Sequence, residues 1–281
     1  NFPLVMANAE VAEDSPIAGL TSPTTIVEAG EHRYGIIGLT PQENATLTSP
    51  GPTIRFTDPS EAVRREIEAL TAAGVDRVIV LSHSGLSVDE RIASEVEGID
   101  LIVGGHSHTL LSNAIPDAAA PYPVWVERPD GKTPIVQAGS YGKFLGKIEL
   151  TFNDAGEVVS LDGDTSVIDA SIEKDPDVDA RVKELAKPLE EIRTKIVGEA
   201  ATNIDGSRET CRSQECTMGV LVADAMLDRV ADQGIQIAIQ NGGGLRASID
   251  EGEVTMGEVL TVLPFQNTLS TFQITGATLV E

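Results

Sequence analysis

The hydrophobic positions in the first part of the chain alternate between two kinds of segment. Short apolar runs that are typical of strands buried in a sheet occur at 2–7, 32–40, 78–81 and 100–103. Between them, residues 60–73 carry apolar side chains at helical spacing, with Ser60 in position to cap the helix and Gly74 at its end. This alternation predicts an α/β domain.

The pattern changes farther along the chain. Residues 134–152 look like two strands around a glycine-containing turn, and residues 173–196 read as a charged amphipathic helix that Pro188 should bend. The apolar stripe of that helix comprises Val178, Val182, Leu185, Leu189, Ile192 and Ile196. With 281 residues the chain exceeds what one hydrophobic core usually serves. We therefore expect a first domain over 1–172, a connecting helix over 173–196 and a second domain over 197–281.

Composition and charge narrow the classes of function. Hydrophobic residues make up 41% of the chain, which suffices for a globular core, and no apolar run approaches the length of a membrane span. We thus expect a soluble protein without a transmembrane segment. The formal net charge of -24 argues against binding a nucleic-acid polymer, because such a surface repels polyanions. A small anionic substrate would need a local cationic pocket.

Three of the four histidines follow predicted buried strands. His83 comes after the run at 78–81, and His106 and His108 come after the run at 100–103 and a glycine pair. Side chains at the carboxyl ends of neighbouring strands can converge on one site, and two glycines let the chain turn close to a ligand. The sequence therefore predicts a metal site, although each histidine taken singly could instead hydrogen-bond a loop carbonyl. His32 precedes its strand and is interpreted as a surface residue.

The second half of the chain holds a candidate anion pocket. Arg208, Arg212 and Arg246 lie near a glycine run at 242–244, in a chain that is otherwise strongly acidic. Guanidinium groups bind phosphate oxygens in pairs of hydrogen bonds, and glycines let backbone N–H groups approach an anion. The alternative is a tight turn whose arginines form ordinary surface ion pairs.

The two cysteines, Cys211 and Cys216, stand five positions apart in this region. A close pair with no third thiol favours a small disulfide loop formed in an oxidising compartment. Two reduced thiols in a cytosolic protein are the alternative. A zinc site at the pair is disfavoured, because no second cysteine or histidine pair lies nearby.

Several motifs in fixed order carry a resemblance to a known family. They are VIVLSHSG, DLIVGGHSHT, PIVQAGSYGKFLGKIEL, IQNGGGLRASI and VLTVLPFQNTL. Together they resemble the two-domain 5'-nucleotidase family. The resemblance implies a calcineurin-like metallophosphoesterase sandwich joined by a helix to an α/β (α+β) nucleotide-binding domain, with both domains incomplete in this sequence.

The resemblance also implies roles for individual residues. His83 and His106 match ligands of one divalent metal ion and His108 matches a ligand of a second, with zinc or manganese suited to imidazole nitrogen. Phe265 matches an aromatic residue that stacks on the nucleobase, and a cysteine pair around the same arginine occurs as a disulfide in some members. The nucleotide-binding positions are Arg208, Arg212, Asn241, Gly243, Gly244 and Arg246.

One departure from the family pattern bears on activity. The D-x-H, GD and GNHE segments, which carry the bridging aspartate, further metal ligands and a catalytic His/Asp pair, normally precede the strand that starts this sequence, and none of them occurs in it. Three imidazoles cannot hold two divalent cations without a bridging carboxylate. We therefore expect the catalytic His/Asp pair upstream of Asn1, no catalytic residue within these 281 residues, and no activity from them alone. A second base-stacking aromatic is also missing, so the preferred base cannot be read.

The expected function is hydrolysis of nucleotide phosphate monoesters by a two-metal mechanism in a periplasmic or extracellular protein. Closure of the two domains about the connecting helix would bring phosphate to metal. Within the same enzyme class, a 2',3'-cyclic-nucleotide phosphodiesterase with 3'-nucleotidase activity and a nucleotide-sugar or dinucleotide hydrolase remain open. A nucleotide-binding protein without catalysis is the alternative from another class, and a structural surface antigen without affinity for nucleotides is a third.

Overall fold

A computed structural model describes residues 2–129, 131–154, 156–265 and 267–280. Asn1, upstream of which the catalytic pair is expected, and Glu281, the last residue of the predicted second domain, lie outside the described residues. The chain divides into two compact units between Glu173 and Lys174. The two units are called unit 1 and unit 2 below, and each is described by itself.

Unit 1 combines strands and helices in a mixed α/β arrangement. Its strands are β1 (Ala9–Val11), β2 (Thr24–Ala29), β3 (His32–Leu39), β4 (Ile54–Phe56), β5 (Arg77–Ser82), β6 (Leu101–Val103), β7 (Val124–Arg128), β8 (Gly131–Val136), β9 (Phe144–Phe152) and β10 (Val158–Val167). Its helices are α1 (Asn44–Leu47), α2 (Pro59–Ala72) and α3 (Leu86–Glu95). The prediction of an α/β class is confirmed.

A six-stranded sheet in the order β2-β3-β5-β6-β8-β7 forms the centre of unit 1. The pairs β3–β5, β5–β6 and β6–β8 are parallel, whereas β2 and β7 run antiparallel at the two edges. Strands β5 and β6 are neighbours, with Leu81 opposite Val103. The segments that follow them, which carry the three predicted site histidines, therefore leave the same edge of the sheet.

The core of unit 1 lies between this sheet and helices α2 and α3. Apolar side chains of β3, β5, β6 and β8 pack against both helices, and Ile37, Val63, Val80, Ile92 and Ile102 are fully buried. Burial on this scale is the main stabilising contribution in a domain of this size.

The N-cap of α2 differs from the prediction. The helix begins at Pro59 and is capped by Asp58, whose carboxylate accepts a hydrogen bond from the Glu61 N–H. Ser60 lies inside the first turn, is buried, and accepts a hydrogen bond from Arg91. Proline is well suited to the first helical position, which moves the cap one place before it.

Residues 2–7 do not form the regular strand that was predicted. The segment makes an isolated bridge between Val5 and Ser22, and the Ala7 N–H donates to the Gly38 carbonyl. Phe2 and Leu4 are exposed, so apolar composition alone is not sufficient evidence for a buried strand here.

The two strands predicted within 134–152 exist, but they do not pair with each other. β8 belongs to the central sheet, and β9 forms a separate antiparallel ribbon with β10. The side chains from Thr133 to Val136 are buried without alternation, whereas β9 has no fully buried residue. Continuous burial places β8 inside the sheet, and partial burial suits the two-stranded ribbon.

Unit 2 is built mainly from helices with one small sheet. Its elements are α4 (Pro176–Arg193), β11 (Ile196–Ala200), α5 (Arg208–Cys211), α6 (Thr217–Arg229), β12 (Gly252–Thr255), α7 (Met256–Val262) and α8 (Gly276–Val280), with 3-10 turns at Ala231–Gln233 and Gly242–Gly244. β11 and β12 pair antiparallel, and Thr255 with Glu258 forms a capping box at the start of α7. Met218, Leu245 and Val262 are among the buried residues of its core.

Helix α4 lies within the range 173–196 that was predicted for the connecting helix, and Pro188 falls inside it. The helix ends at Arg193, so Ile196 of the predicted apolar stripe instead begins strand β11. Its apolar stripe does not enter a core, since none of the helix residues is buried. Within the part of the chain that the structure describes, no helix is both long and apolar enough to cross a membrane.

Candidate active site

His83 and His106 meet at the carboxyl edge of the central sheet. Their rings contact edge to face, with centroids 5.3 Å apart and an interplanar angle of 69°. The contact depends on Gly105, because a methyl group on this residue would come within 2.9 Å of His83 Nδ1. The structure thus brings these two predicted ligands together, and it does so through a glycine that leaves room for the imidazole.

The loop after β6 has an unusual backbone. His106 and His108 both adopt left-handed conformations, with φ of 68° and 59°. Each such non-glycine residue costs on the order of 1–3 kcal/mol, and strain of this kind collects at functional sites where the surrounding structure holds it in place. The Ser107 N–H donates to the Gly105 carbonyl, which tightens the turn between the two histidines.

A buried polar network lies beneath the histidine loop. Ser82, which directly precedes His83, donates a 2.5 Å hydrogen bond to the fully buried Asp89 of α3. Gln137 accepts a hydrogen bond from Ser107, whose hydroxyl also accepts from the Leu86 N–H. The network ties the end of β5, the start of α3 and the histidine loop to one another.

Asp89 differs electrostatically from the surface carboxylates. Burial raises its pKa to about 7, and the hydrogen bond from Ser82 opposes this shift only in part. Asp100, at the start of the β6 segment, shows the same effect more weakly, since burial raises its pKa to about 6 against a hydrogen bond from the Val78 N–H. Asp89 lies beneath the sheet edge that carries the histidines, whereas Asp100 lies at the opposite, amino ends of β5 and β6.

Two features near His83 and His106 favour binding of a cation. The Glu43 carboxylate lies 3.6 Å from His106 Nε2. Partial desolvation and the neighbouring His106 lower the pKa of His83, which favours its neutral form. Imidazole nitrogen and carboxylate oxygen are the kinds of donor that zinc and manganese accept.

The number of donors is smaller than a metal site needs. Over residues 2–129, 131–154, 156–265 and 267–280, no three His, Cys, Asp or Glu side chains lie where they could hold one ion together. His108, the third predicted ligand, contacts Tyr141, with ring centroids 5.3 Å apart. The donor atoms of these residues are therefore of the type that binds divalent metals, but they supply only part of the ligands that such an ion needs.

The second candidate site lies in unit 2, around a short disulfide loop. Cys211 and Cys216 form a disulfide, and Arg212 lies inside the loop. Gly242 packs directly on the Cys211 carbonyl, so that a side chain at this position would overlap it. This close approach joins the disulfide loop to the glycine turn.

Two guanidinium groups flank Gly243 at this junction. Arg212 Nη2 lies 3.5 Å from the position that a methyl group on Gly243 would take. Arg246 donates from Nη1 to the Gly243 carbonyl at 3.2 Å, and its guanidinium carbon lies 5.5 Å from the centroid of the Phe265 ring. The structure therefore brings together Arg212, Arg246, Gly243 and Phe265 in one place, with cationic donors next to an aromatic ring.

The remaining predicted residues of this site take up different positions. Asn241 is exposed and its amide nitrogen borders Gly243, whereas Arg208 begins α5 one turn before Arg212. The Gly244 N–H donates to the Asn241 carbonyl within the 3-10 turn. The predicted use of the glycine run as a set of backbone donors therefore does not extend to Gly244, whose own N–H closes the turn.

A cavity of about 220 Å³ is lined in part by Phe265 and by Gly244 of the glycine turn. Its lining includes Phe265, Gly244 and Gln240 together with the apolar side chains Val222, Met226 and Leu263. An apolar wall with a few polar groups at its rim is the usual surrounding of a small-molecule ligand.

Sequence reasoning missed three residues near the histidines. Asp89 carries no visible signal, because an acidic residue inside a helix normally faces solvent. Glu43 is a loop residue whose approach to His106 depends on the fold. Tyr141 had a signal, since it stands in the run Gly139-Ser140-Tyr141-Gly142, where a glycine-rich turn surrounds one aromatic residue.

Comparison with known proteins relates the chain to 5'-nucleotidases. Residues 196–281 match the family model of the 5'-nucleotidase C-terminal domain. The chain is 38% identical to a 5'-nucleotidase of Diplobatis ommata over 99% of its own length and 51% of that protein. The chain thus spans about half the length of the curated relatives it matches.

Solved structures lead to the same family. The crystal structure of a 5'-nucleotidase precursor from Thermus thermophilus superposes with a TM-score of 0.90 at 38% identity, covering 95% of this chain and 54% of that one. A calcineurin-like phosphoesterase from Bacillus subtilis shares the fold, with a TM-score of 0.54 at 22% identity over 67% of this chain and 63% of that one. The resemblance to the two-domain 5'-nucleotidase family found in the motifs is confirmed: residues 196–281 match the C-terminal domain of 5'-nucleotidases, and the whole chain is similar to about half of each 5'-nucleotidase named above.

Proposed function

We propose that the protein hydrolyses nucleoside 5'-monophosphates with the help of two divalent metal ions, zinc or manganese. The observation that carries this proposal is the arrangement around Gly243, where Arg212 and Arg246 flank the glycine and the Arg246 guanidinium lies beside the Phe265 ring. A nucleotide combines a dianionic phosphate with a flat base, and this arrangement offers a partner for each.

The charge of the chain strengthens the argument. A net charge of -24 would repel a phosphate ester from most of the surface, so two adjacent guanidinium groups form a local exception. Arginine holds phosphate oxygens through paired hydrogen bonds, and the aromatic ring can stack on any base. The disulfide loop limits the freedom of Arg212 before the ligand arrives, which reduces the entropy lost on binding.

In this proposal the three histidines of unit 1 serve as metal ligands. His83 and His106 would hold one ion and His108 the other, and a bridging carboxylate with further ligands and the catalytic His/Asp pair would come from residues upstream of Asn1. Bound divalent cations would polarise the phosphoryl oxygens and lower the pKa of a coordinated water. The partial ligand set leads us to expect no hydrolysis by these 281 residues on their own.

We propose the division of labour and the cellular location on the same basis. Residues 1–172 would provide the metal site, 173–196 the connection, and 197–281 the substrate site. The Cys211–Cys216 disulfide favours an oxidising compartment, and the Thermus thermophilus relative is described as a precursor. The periplasm or the extracellular space fits both observations.

The test is phosphate release from AMP by the full-length protein. Activity should require zinc or manganese, disappear with a chelator, and fall by about 10-fold or more in Arg246→Lys, because lysine cannot form paired hydrogen bonds with phosphate. The matched control is Arg229→Lys in the last turn of α6, which lies outside the proposed site.

The outcomes separate the alternatives. Faster release from 2',3'-cyclic AMP, UDP-glucose or a dinucleotide than from AMP would redirect the assignment within the hydrolases. Binding of AMP without any release in the presence of metal would favour a nucleotide-binding protein. A protein that does not bind AMP at all would overturn the proposal.

A further inference from the structure

Tyr141 belongs to the same cluster of strained residues as the histidines. Among the described residues, the non-glycine positions with left-handed backbone are His106, His108 and Tyr141, which has φ of 61°. Tyr141 is distant in sequence from the histidine loop, yet it contacts His108 edge to face at 5.3 Å, and His106 contacts His83 in the same way at the same distance. Strain confined to one place indicates a functional arrangement.

The fold holds the Tyr141 loop against the histidine loop through the backbone. The Gly139 N–H donates to the Thr109 carbonyl, directly after His108, and Leu110 forms a bridge with Ala138. Gly139 itself fits under the Phe144 ring, which would lie 2.9 Å from a methyl group at this position. The position of Tyr141 relative to His108 is therefore fixed by backbone hydrogen bonds close to the contact.

Packing in a hydrophobic core does not account for a tyrosine at this position. Its side chain is 65% exposed, so it contributes little to a core, and its backbone conformation is one that glycine adopts without strain. Gly142, the next residue, has φ of 66°, which shows that the turn accepts glycine readily. The aromatic ring is the part of Tyr141 that remains to be explained, and His108 is the ring that it touches.

We propose that Tyr141 is a positioning residue that fixes the orientation of the His108 imidazole by edge-to-face packing. The inference rests on the proposed function, in which His108 is a metal ligand. An aromatic neighbour restricts rotation of the imidazole about its side-chain bonds and so prepares one nitrogen for the ion. Partners of this kind influence metal affinity although they do not touch the metal.

The experiment compares Tyr141→Gly, Tyr141→Phe and Ser140→Gly in the full-length protein. The first readout is the set of ring carbon resonances of His108 in metal-free protein labelled with ¹³C-histidine, which a His108→Gln variant assigns. The second readout is the affinity for Zn²⁺ alone, measured by competition titration. Tyr141→Gly should shift the His108 resonance and weaken binding of one zinc ion by about 10-fold or more. Tyr141→Phe, which keeps the ring, should restore both readouts, and Ser140→Gly should leave both unchanged.

Unfolding cannot account for the expected result. Tyr141→Gly relieves a strained backbone, so its melting temperature should equal or exceed that of the parent. An unchanged His108 resonance and zinc affinity in Tyr141→Gly would overturn the inference, and so would a loss that Tyr141→Phe shares. If His108→Gln and His108→Ala still bind two zinc ions with the affinity of the parent, His108 is not a metal ligand. This result would contradict the proposed function, and it can be told apart from a result that contradicts only the role of Tyr141.

Discussion

Gly104 lies directly against Asp89, such that a methyl group on Gly104 would come within 2.6 Å of Asp89 Oδ2. The same position lies 3.4 Å from Gln137 Oε1. A glycine of the histidine loop, a buried carboxyl group and a buried amide are therefore packed together beneath the candidate metal site. This contact leads to the prediction for Gly104, and the burial of Asp89 leads to the prediction on pH dependence.

Gly104→Ala is expected to lower the free energy of unfolding by about 1–3 kcal/mol, because the added methyl group overpacks a buried polar cluster. The measurement is urea denaturation of the full-length protein. In an Asp89→Ala background the same substitution should cost less, since the group it meets is gone. Equal costs in both backgrounds would show that the strain arises elsewhere.

Gly105→Ala is the matched comparison at the next residue. Its methyl group would meet His83 Nδ1 at 2.9 Å and the Ser82 carbonyl oxygen at 3.3 Å, a looser fit than the one at Gly104 but one that displaces the His83 ring. We therefore expect a smaller loss of stability than in Gly104→Ala and a larger loss of zinc affinity, measured by the same competition titration.

The raised pKa of Asp89 predicts how stability depends on pH. Its pKa is about 7 in the folded protein against 3.8 for an unperturbed carboxyl group. A carboxyl group whose pKa is higher in the folded than in the unfolded protein stabilises the folded state fully at pH values below its pKa in the unfolded protein. This stabilisation is lost as the pH rises through its pKa in the folded protein. Between about pH 4 and pH 7, Asp89 should therefore lower the free energy of unfolding by at most about 1.4 kcal/mol per pH unit.

Asp89→Asn keeps the shape of the side chain and cannot ionise, so the variant should lose this part of the pH dependence. Asp100, with a folded pKa of about 6, adds a similar slope up to that pH in both proteins and serves as the internal reference. Urea denaturation at closely spaced pH values checks the prediction. Parallel stability curves for parent and variant would contradict it.

The contacts of Arg212 and Gly242 with the disulfide loop predict that the bridge supports nucleotide binding. Replacing both Cys211 and Cys216 by serine should lower stability by about 2 kcal/mol, as expected for the chain entropy of so short a loop. It should also weaken AMP binding, because Arg212 is no longer held beside Gly243. Calorimetry with AMP measures the second effect, and the reduced parent should behave like the double variant. Full AMP affinity after reduction would show that the turn alone positions Arg212.

Phe265 provides a prediction that separates stacking from charge. Phe265→Leu removes the ring and keeps an apolar side chain, and stacking on a base contributes about 1–3 kcal/mol. The affinity for AMP should therefore fall by about 5-fold or more, whereas the affinity for inorganic phosphate should not change. Equal losses for both ligands would mean that Phe265 acts by holding Arg246, whose guanidinium group lies beside its ring.

The sequence by itself determined the features that depend on local order along the chain. Buried strands followed by histidines identified β5 and β6, and parallel neighbours necessarily deliver His83 and His106 to one edge of a sheet. The spacing of Cys211 and Cys216 likewise indicated the disulfide that the structure contains. In both examples the predicted residues lie within a few positions of the sequence pattern that indicates them.

Only the tertiary structure decided the contacts between residues that are distant in sequence. The pairing of β9 with β10 rather than β8, the burial of Asp89 beneath Gly104 and the contact of Tyr141 with His108 each depend on which surfaces pack together. Periodicity reports which face of an element is apolar and carries no information about which segment covers that face. For this reason the sequence predicted that His83 and His106 meet at one edge of the sheet, and the fold was needed to show which distant residues pack against their loop.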